Sequence, residues 1–187
     1  MAAARTSEIT YRGRAFNLRT VTARLRSGRQ GIWEVLDHPG GVAMVAVDAQ
    51  GGVLLVRQFR AAVGAPLLEV PAGTCEAGEQ PHETAARELQ EEVGMRAEHL
   101  TLLGKFYVAP GYTSELLHAY LATGLTASVL PADEDEELSI ERVPLADLLL
   151  MIKRGEIEDG KTITAVLLAA AHPLLAGGGP AQAPPTA

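Results

Sequence analysis

Residues 73–95 read Gly73-Thr-Cys-Glu-Ala-Gly-Glu79-Gln-Pro-His-Glu-Thr-Ala-Ala-Arg87-Glu88-Leu89-Gln-Glu91-Glu92-Val93-Gly94-Met95. The second half is helical by several independent signs. Pro81 suits a first turn, Ala85, Ala86, Leu89 and Val93 recur at three-to-four spacing, and Gly94 is a stop, which predicts a helix over Pro81–Val93. At roughly 100° per residue, Glu88 and Glu92 point within about 40° of each other. That face borders the apolar stripe of Ala85, Leu89 and Val93, so both carboxylates stand at the edge of the core. Like charges at i and i+4 cost roughly a few tenths of a kcal/mol, and something positive should offset them. Carboxylate oxygens are hard ligands and no His or Cys cluster of zinc spacing accompanies them, so Mg²⁺ or Mn²⁺ matches and zinc does not. Arg87, lying between Glu83 and Glu91, is placed to hold either by paired hydrogen bonds and so orient the acids. Taken alone, such a pattern reads more simply as a solvated acidic helix with Glu–Arg pairs.

Upstream, Val42–Val47 and Val53–Phe59 are β-rich runs joined by Asp48-Ala-Gln-Gly-Gly52, which predicts a hairpin. Leu67–Val70 reads as a short strand. Downstream, Leu100–Tyr107 and Glu115–Ala122 read as paired strands with Pro110-Gly111 turning between them, and helices fit Leu145–Arg154 and Thr162–Ala171. Residues 1–37 carry patches of alternation such as Thr20–Leu25 and form an N-terminal β extension. Residues 38–175 are expected to form the main domain, and the Gly- and Pro-rich residues 176–187 are expected to be a disordered tail.

The chain has 187 residues, enough for one full core, with 47% hydrophobic and 21% charged residues, values of an ordinary globular protein. Its net charge is −7 and its 16 Lys and Arg are scattered, which argues against long nucleic acid as a partner. The single cysteine, Cys75, has no internal disulfide partner, and no apolar run reaches the roughly 18–20 residues of a membrane span. The N-terminus has no signal-like apolar run, so the cytoplasm is the expected location and no membrane partner is expected.

Gly73, Glu79, Arg87, Glu88, Leu89, Glu91, Glu92, Gly94 and Met95 fill every fixed position of G-x5-E-x7-R-E-U-x-E-E-x-G-U, where U is a bulky aliphatic residue. The chain therefore resembles the Nudix hydrolases. The resemblance implies a Nudix fold of the mixed α/β class, a mixed β-sheet sandwiched between helices. It implies a loop–helix–loop that binds two or three Mg²⁺ or Mn²⁺ ions through Glu88, Glu92, Glu91 and the Ala72 carbonyl. An acidic protein needs such cations to meet an anionic pyrophosphate, and they polarise phosphoryl oxygens and lower the pKa of bound water.

Three further segments resemble the ADP-ribose pyrophosphatase branch. They are Val56-Arg57-Gln58-Phe59-Arg60 with Leu68-Glu69-Val70-Pro71-Ala72-Gly73, then Ala109–Glu115, then Asp133–Glu137. The resemblance implies hydrolysis of ADP-ribose to AMP and ribose 5-phosphate, with another nucleoside diphosphate sugar or dinucleotide pyrophosphate as the alternative substrate. A non-catalytic ADP-ribose sensor is a further alternative, disfavoured by the intact motif. Arg60, able to fork two hydrogen bonds, is assigned to a substrate phosphate, with Arg57 as a second. The plainer alternative is that one or both pair with Glu69. Trp33 resembles the aromatic that stacks on adenine, with Glu34 beside it to accept from the base; a lone Trp also suits a core. The acidic run 133–137 corresponds to the loop that supplies the catalytic base, Glu136 or alternatively Glu134. The branch also implies a homodimer in which residues 1–37 help form the partner's pocket. His82, His118 and Cys75 are assigned no chemistry.

Overall fold

Val42–Val47 has no polar residue, and an uninterrupted apolar run of this length suits a strand covered on both faces. In the computed structural model, which describes residues 5–13, 16–131 and 138–176, the run is the centre of the molecule. The chain runs β1 (Arg5–Arg12), β2 (Asn17–Arg24), β3 (Gln30–Asp37), β4 (Gly41–Val47), β5 (Gly52–Arg60), β6 (Ala65–Glu69), β7 (Ala72–Thr74), α1 (Pro81–Glu92), β8 (Met95–Arg96), β9 (His99–Tyr107), β10 (Leu116–Thr123), β11 (Thr126–Ala127), β12 (Leu138–Pro144), α2 (Leu145–Arg154), α3 (Gly160–Ala171) and α4 (Pro173–Ala176). Every residue of β4 is buried.

Alternation along β4 divides the core in two. Val42, Met44 and Ala46 pack with Ala85, Leu89 and Val93 of the α1 segment. Ala43, Val45 and Val47 pack on the other face with Leu148 of α2 and Ala165, Val166 and Ala169 of α3. This is the expected sheet between helices, and Leu89, fully buried, is worth about 1.5–3 kcal/mol in apolar burial alone. The sheet order is β12-β5-β4-β10-β9, mixed because β4 and β10 are parallel while the other neighbours are antiparallel.

The predicted hairpin is present but short. Asp48 accepts from the N–H groups of Gln50 (2.9 Å) and Gly52 (2.8 Å), yet β4 and β5 pair only at Ala46–Leu54 and Val47–Val53. Beyond that the strands diverge. β6 takes over pairing with β5 from Val56 onward, and β7 pairs with Gly41–Ala43. The Met44 N–H donates to the Pro71 carbonyl at 2.8 Å, closing the gap at its narrow end. The sheet is thus continuous at one end and split into a wedge at the other.

The predicted β9–β10 pair forms antiparallel, and the Ala109 carbonyl accepts from Tyr112 and Thr113 at its turn. Helix α3 begins at Gly160 instead of Thr162, because Asp159 accepts from the Thr162 N–H at 2.9 Å and caps it. Residues 5–37 form a three-stranded antiparallel sheet, more regular than the patchy alternation predicts, joined to the core by a bridge between Leu36 and Thr113. Glu134, Glu136 and residues 177–187 of the tail lie outside the described residues. Among the described residues no helix is long and apolar enough to cross a membrane.

Candidate active site

The wedge opens into a cleft of about 600 Å³, with α1 and the loop after β7 on one side and the end of β5 and the start of α3 on the other. Glu88 and Arg87 of α1 line it, as do Ala72 and Gly73 of β7. Glu88 lies so close to Gly73 that a Cβ there would stand inside its carboxyl group. Glu92 is 6% exposed, and its Oε2 accepts from the Ala72 N–H at 2.9 Å, tying the helix to the strand.

Arg87 gathers three acids. Nε donates to Glu79 Oε1 at 3.0 Å, and Nη1 donates to Glu88 Oε1 at 2.8 Å and to Glu91 Oε2 at 2.7 Å. The guanidinium holds the Glu79 carboxyl down at about 2, and Glu79 in turn raises the Arg87 pKa. Of the two partners expected for Arg87, Glu91 is the one it holds. Glu83 is occupied at the helix start, where its Oε2 accepts from the Gln80 N–H at 2.8 Å, and Glu79 folds back from the loop to take its place. One arginine against Glu79, Glu88 and Glu91 leaves an excess of negative charge, to which Glu92 adds.

That excess, built from oxygen donors alone, suits a hard divalent cation and not a thiolate- or imidazole-seeking one. Among the described residues no three His, Cys, Asp or Glu side chains already converge as a metal cage. Glu88 and Glu91 are gathered on Arg87 instead. Glu88, Glu91, Glu92 and the Ala72 carbonyl are the groups that could hold such ions, and the fit at Gly73 keeps Glu88 against the strand that carries that carbonyl.

Two further lining residues, Arg60 and Lys161, are cations held by acids. Arg60 donates to fully buried Glu69 from Nε (2.8 Å) and Nη2 (2.6 Å), the paired geometry that makes Arg–carboxylate bonds strong. Lys161 Nζ also donates to Glu69 and, at 3.0 Å, to Asp159 Oδ2. Glu69 raises the Arg60 pKa. Burial works to raise the Asp159 carboxyl, but Lys161 and Thr162 outweigh it and hold it low. Arg60 and Lys161 both line the cleft.

Other predicted residues stand elsewhere. Arg57 Nε donates to Glu141 Oε1 at 2.6 Å and does not line the cleft. Trp33 is 41% exposed on β3 and lies over Gly31, where any side chain would collide with its ring. Glu34 beside it is exposed. The sequence reading missed Lys161, Asp159 and His38 as cleft residues. The polar run Glu158-Asp-Gly-Lys-Thr162 before an apolar helix carries the signal of a cap, though not of a contact to Glu69.

A family model described as the NUDIX domain matches residues 37–166. The chain belongs to the Nudix family. As a Nudix protein it is 38% identical to the ADP-ribose pyrophosphatase of Bacillus subtilis (strain 168), over 85% of this chain and 87% of that one. It is 40% identical to the ADP-ribose pyrophosphatase of Mycobacterium tuberculosis (strain H37Rv), over 91% of this chain and 83% of that one. A crystal structure of an ADP compounds hydrolase superposes with a TM-score of 0.79 at 26% identity, covering 90% of this chain and 92% of the other. The Nudix fold expected from the sequence holds, with its motif placed at the mouth of the wedge.

Proposed function

We propose that the protein hydrolyses the pyrophosphate of ADP-ribose to AMP and ribose 5-phosphate, using two or three Mg²⁺ or Mn²⁺ ions. The observation that carries this reading is that one cleft is lined both by the acid-gathering end of α1, with Glu88 and Arg87, and by two cations, Arg60 and Lys161. A nucleoside diphosphate sugar needs both, an anchor for one phosphate and cation-binding acids at the other. Divalent ions held by Glu88, Glu91, Glu92 and the Ala72 carbonyl would polarise the phosphoryl oxygens and acidify the attacking water. Arg60 holds a substrate phosphate through the N–H groups that Glu69 leaves unused, whereas Arg57, paired with Glu141 and absent from the cleft lining, is given no part in it. Glu136, or Glu134 in its place, is the base.

Residues 1–37 serve a homodimer, in which Trp33 stacks on the adenine and Glu34 accepts from it in the pocket of the partner. Support comes from the apolar side chains that the N-terminal sheet leaves uncovered, Ile9, Tyr11, Ile32 and Trp33 among them. Residues 38–175 are the catalytic domain of this proposal, and the cytoplasm is its compartment.

The test is nucleotide release from ADP-ribose, GDP-mannose, NADH and FAD with Mg²⁺, Mn²⁺ or EDTA, repeated for Glu92→Gln and Glu136→Gln. Fast, metal-dependent AMP release from ADP-ribose, lost in Glu92→Gln, is expected. Tight ADP-ribose binding with no cleavage of any compound would overturn the enzyme reading, and activity surviving Glu136→Gln would move the base to Glu134.

A further inference from the structure

The cleft lining also includes residues that belong neither to the acids of α1 nor to the cations around Glu69. Two of them are His38, at the turn entering β4, and Glu115, just before β10. The turn His38-Pro39-Gly40 is fixed from several directions. The His38 N–H donates to Ser114 Oγ at 3.0 Å, the Gly40 carbonyl accepts from the Cys75 N–H at 3.1 Å, and Gly40 adopts φ +96°. A Cβ at Gly40 would also lie 2.9 Å from the Leu116 carbonyl oxygen, so the turn tolerates only glycine. Held in this way, the His38 ring turns Nδ1 to accept the Gly40 N–H at 3.1 Å.

That bond settles the tautomer. Nδ1 must present a lone pair to the amide, so the ring proton is on Nε2. Among the described residues Nε2 has no protein hydrogen-bond partner and is not a buried orphan, and His38 lines the cleft. Ser114, which holds the backbone of His38, is the neighbour of Glu115, and the Glu115 backbone is pinned in turn to Thr113 Oγ1 (3.2 Å) and Val108 N–H (3.1 Å). Two fixed segments therefore bring to one cleft a residue with an N–H donor to spare and an acidic residue.

A phosphate, which only accepts, is repelled by Glu115. Hydroxyl groups donate and accept, and a vicinal pair can answer both partners at once. We propose that His38, with Glu115 beside it, binds the vicinal hydroxyls of a substrate sugar and is a specificity-determining residue. This rests on the pyrophosphatase reading for the identity of the substrate. The hydroxyls could belong to the terminal ribose or to the adenosine ribose.

The experiment measures binding by calorimetry with Mg²⁺ present, using ligands whose bridging pyrophosphate oxygen is replaced by a methylene group so that turnover is off, for wild type, His38→Asn and His38→Gln. The ligands, each in this methylene form, are ADP-ribose, the propyl ester of ADP, which lacks the terminal sugar, and ADP-ribose with a 2′,3′-dideoxy adenosine moiety. Asn keeps an acceptor where Nδ1 stands and removes the donor at Nε2, so thermal unfolding should be unchanged while the cleft donor is lost. Gln restores a donor at the Nε2 distance. Wild type should bind one analogue about tenfold more weakly than ADP-ribose, the size of one good hydrogen bond. His38→Asn should bind ADP-ribose about tenfold more weakly but that analogue as wild type does, and His38→Gln should recover part of the loss. The analogue affected tells which ribose is held. Equal weakening of all three ligands in His38→Asn, no weakening of any, or no binding of ADP-ribose to wild type would overturn the proposal. Wild-type turnover of ADP-ribose with Mg²⁺, measured separately, tests the pyrophosphatase reading alone.

Discussion

Glu88 rests against the Cα of Gly73, occupying the space a side chain at residue 73 would fill. The glycine is therefore required by its neighbour's carboxylate, which has no other way to lie flat on β7 beside Ala72. Gly73→Ala should push Glu88 off the strand and lower kcat/KM for ADP-ribose on the order of 10²-fold, the usual result of misplacing a reacting group by about 1 Å. Steady-state kinetics with a parallel thermal melt checks it; full activity in a folded variant would show that Glu88 need not sit there.

Arg87 should matter to metal and not to substrate. It gathers Glu88 and Glu91 without lying among the groups proposed to bind ions, and losses of such supporting partners typically weaken metal affinity about 10–100-fold. Arg87→Ala should shift the Mg²⁺ activation curve upward by about that factor, and EDTA should abolish turnover in wild type. An unshifted activation curve would refute the orienting role.

Glu69 is fully buried between Arg60 and Lys161, and removing one partner of a buried ionic cluster costs about 3–5 kcal/mol. Arg60 retains access to water, so Glu69→Gln should fall at the low end, about 3 kcal/mol in urea unfolding. The same variant should raise KM for ADP-ribose, because Arg60 loses its fork. A loss below about 1 kcal/mol would mean that the cluster contributes no more than a surface pair.

The Arg87–Glu79 pair gives a pH signature in metal-free protein. The Glu79 pKa is lowered from 4.5 to about 2 by the Arg87 guanidinium, so the unfolded state binds its proton first as pH falls. The stabilisation is therefore complete above about pH 4.5 and drains away toward pH 2. The stability gap between wild type and Glu79→Gln should be constant from pH 7 to pH 5 and narrow from pH 4 to pH 2.5 in denaturant titrations. Asp48, lowered to about 2 by Arg142, titrates in the same window and cancels in the difference.

Ile32 is 68% exposed on β3, an apolar side chain with nothing over it in a single chain. If a second copy covers the sheet, Ile32→Glu should convert a micromolar solution from dimer to monomer in sedimentation equilibrium and leave the melt of the core unchanged. A wild-type protein that is monomeric at those concentrations would remove the homodimer from the proposal.

What the sequence disclosed follows from how far each relationship reaches along the chain. The helical period alone brings Glu88 and Glu92 together, and the unbroken apolar run of Val42–Val47 already implies cover on both faces. Glu79 reaches Arg87 because a loop folds back, which no periodicity records. Lys161 meets Glu69 across 92 positions of sequence, and His38 meets Ser114 across 76, both through the crossing of strands and helices. Residues joined in this way look like caps and turns until the topology is known.

The short hairpin at Asp48 has a mechanical meaning. Because β4 and β5 touch only at Ala46–Leu54 and Val47–Val53, these two pairs are the fulcrum of a pair of jaws, with Glu88 carried on one and Arg60 on the other. The span between phosphate anchor and acids depends on the angle at which the two strands part, together with the β6–β7 segment that bridges them. Repacking Val47 or Val53 should therefore change how the jaws grip a pyrophosphate without altering any group that touches it.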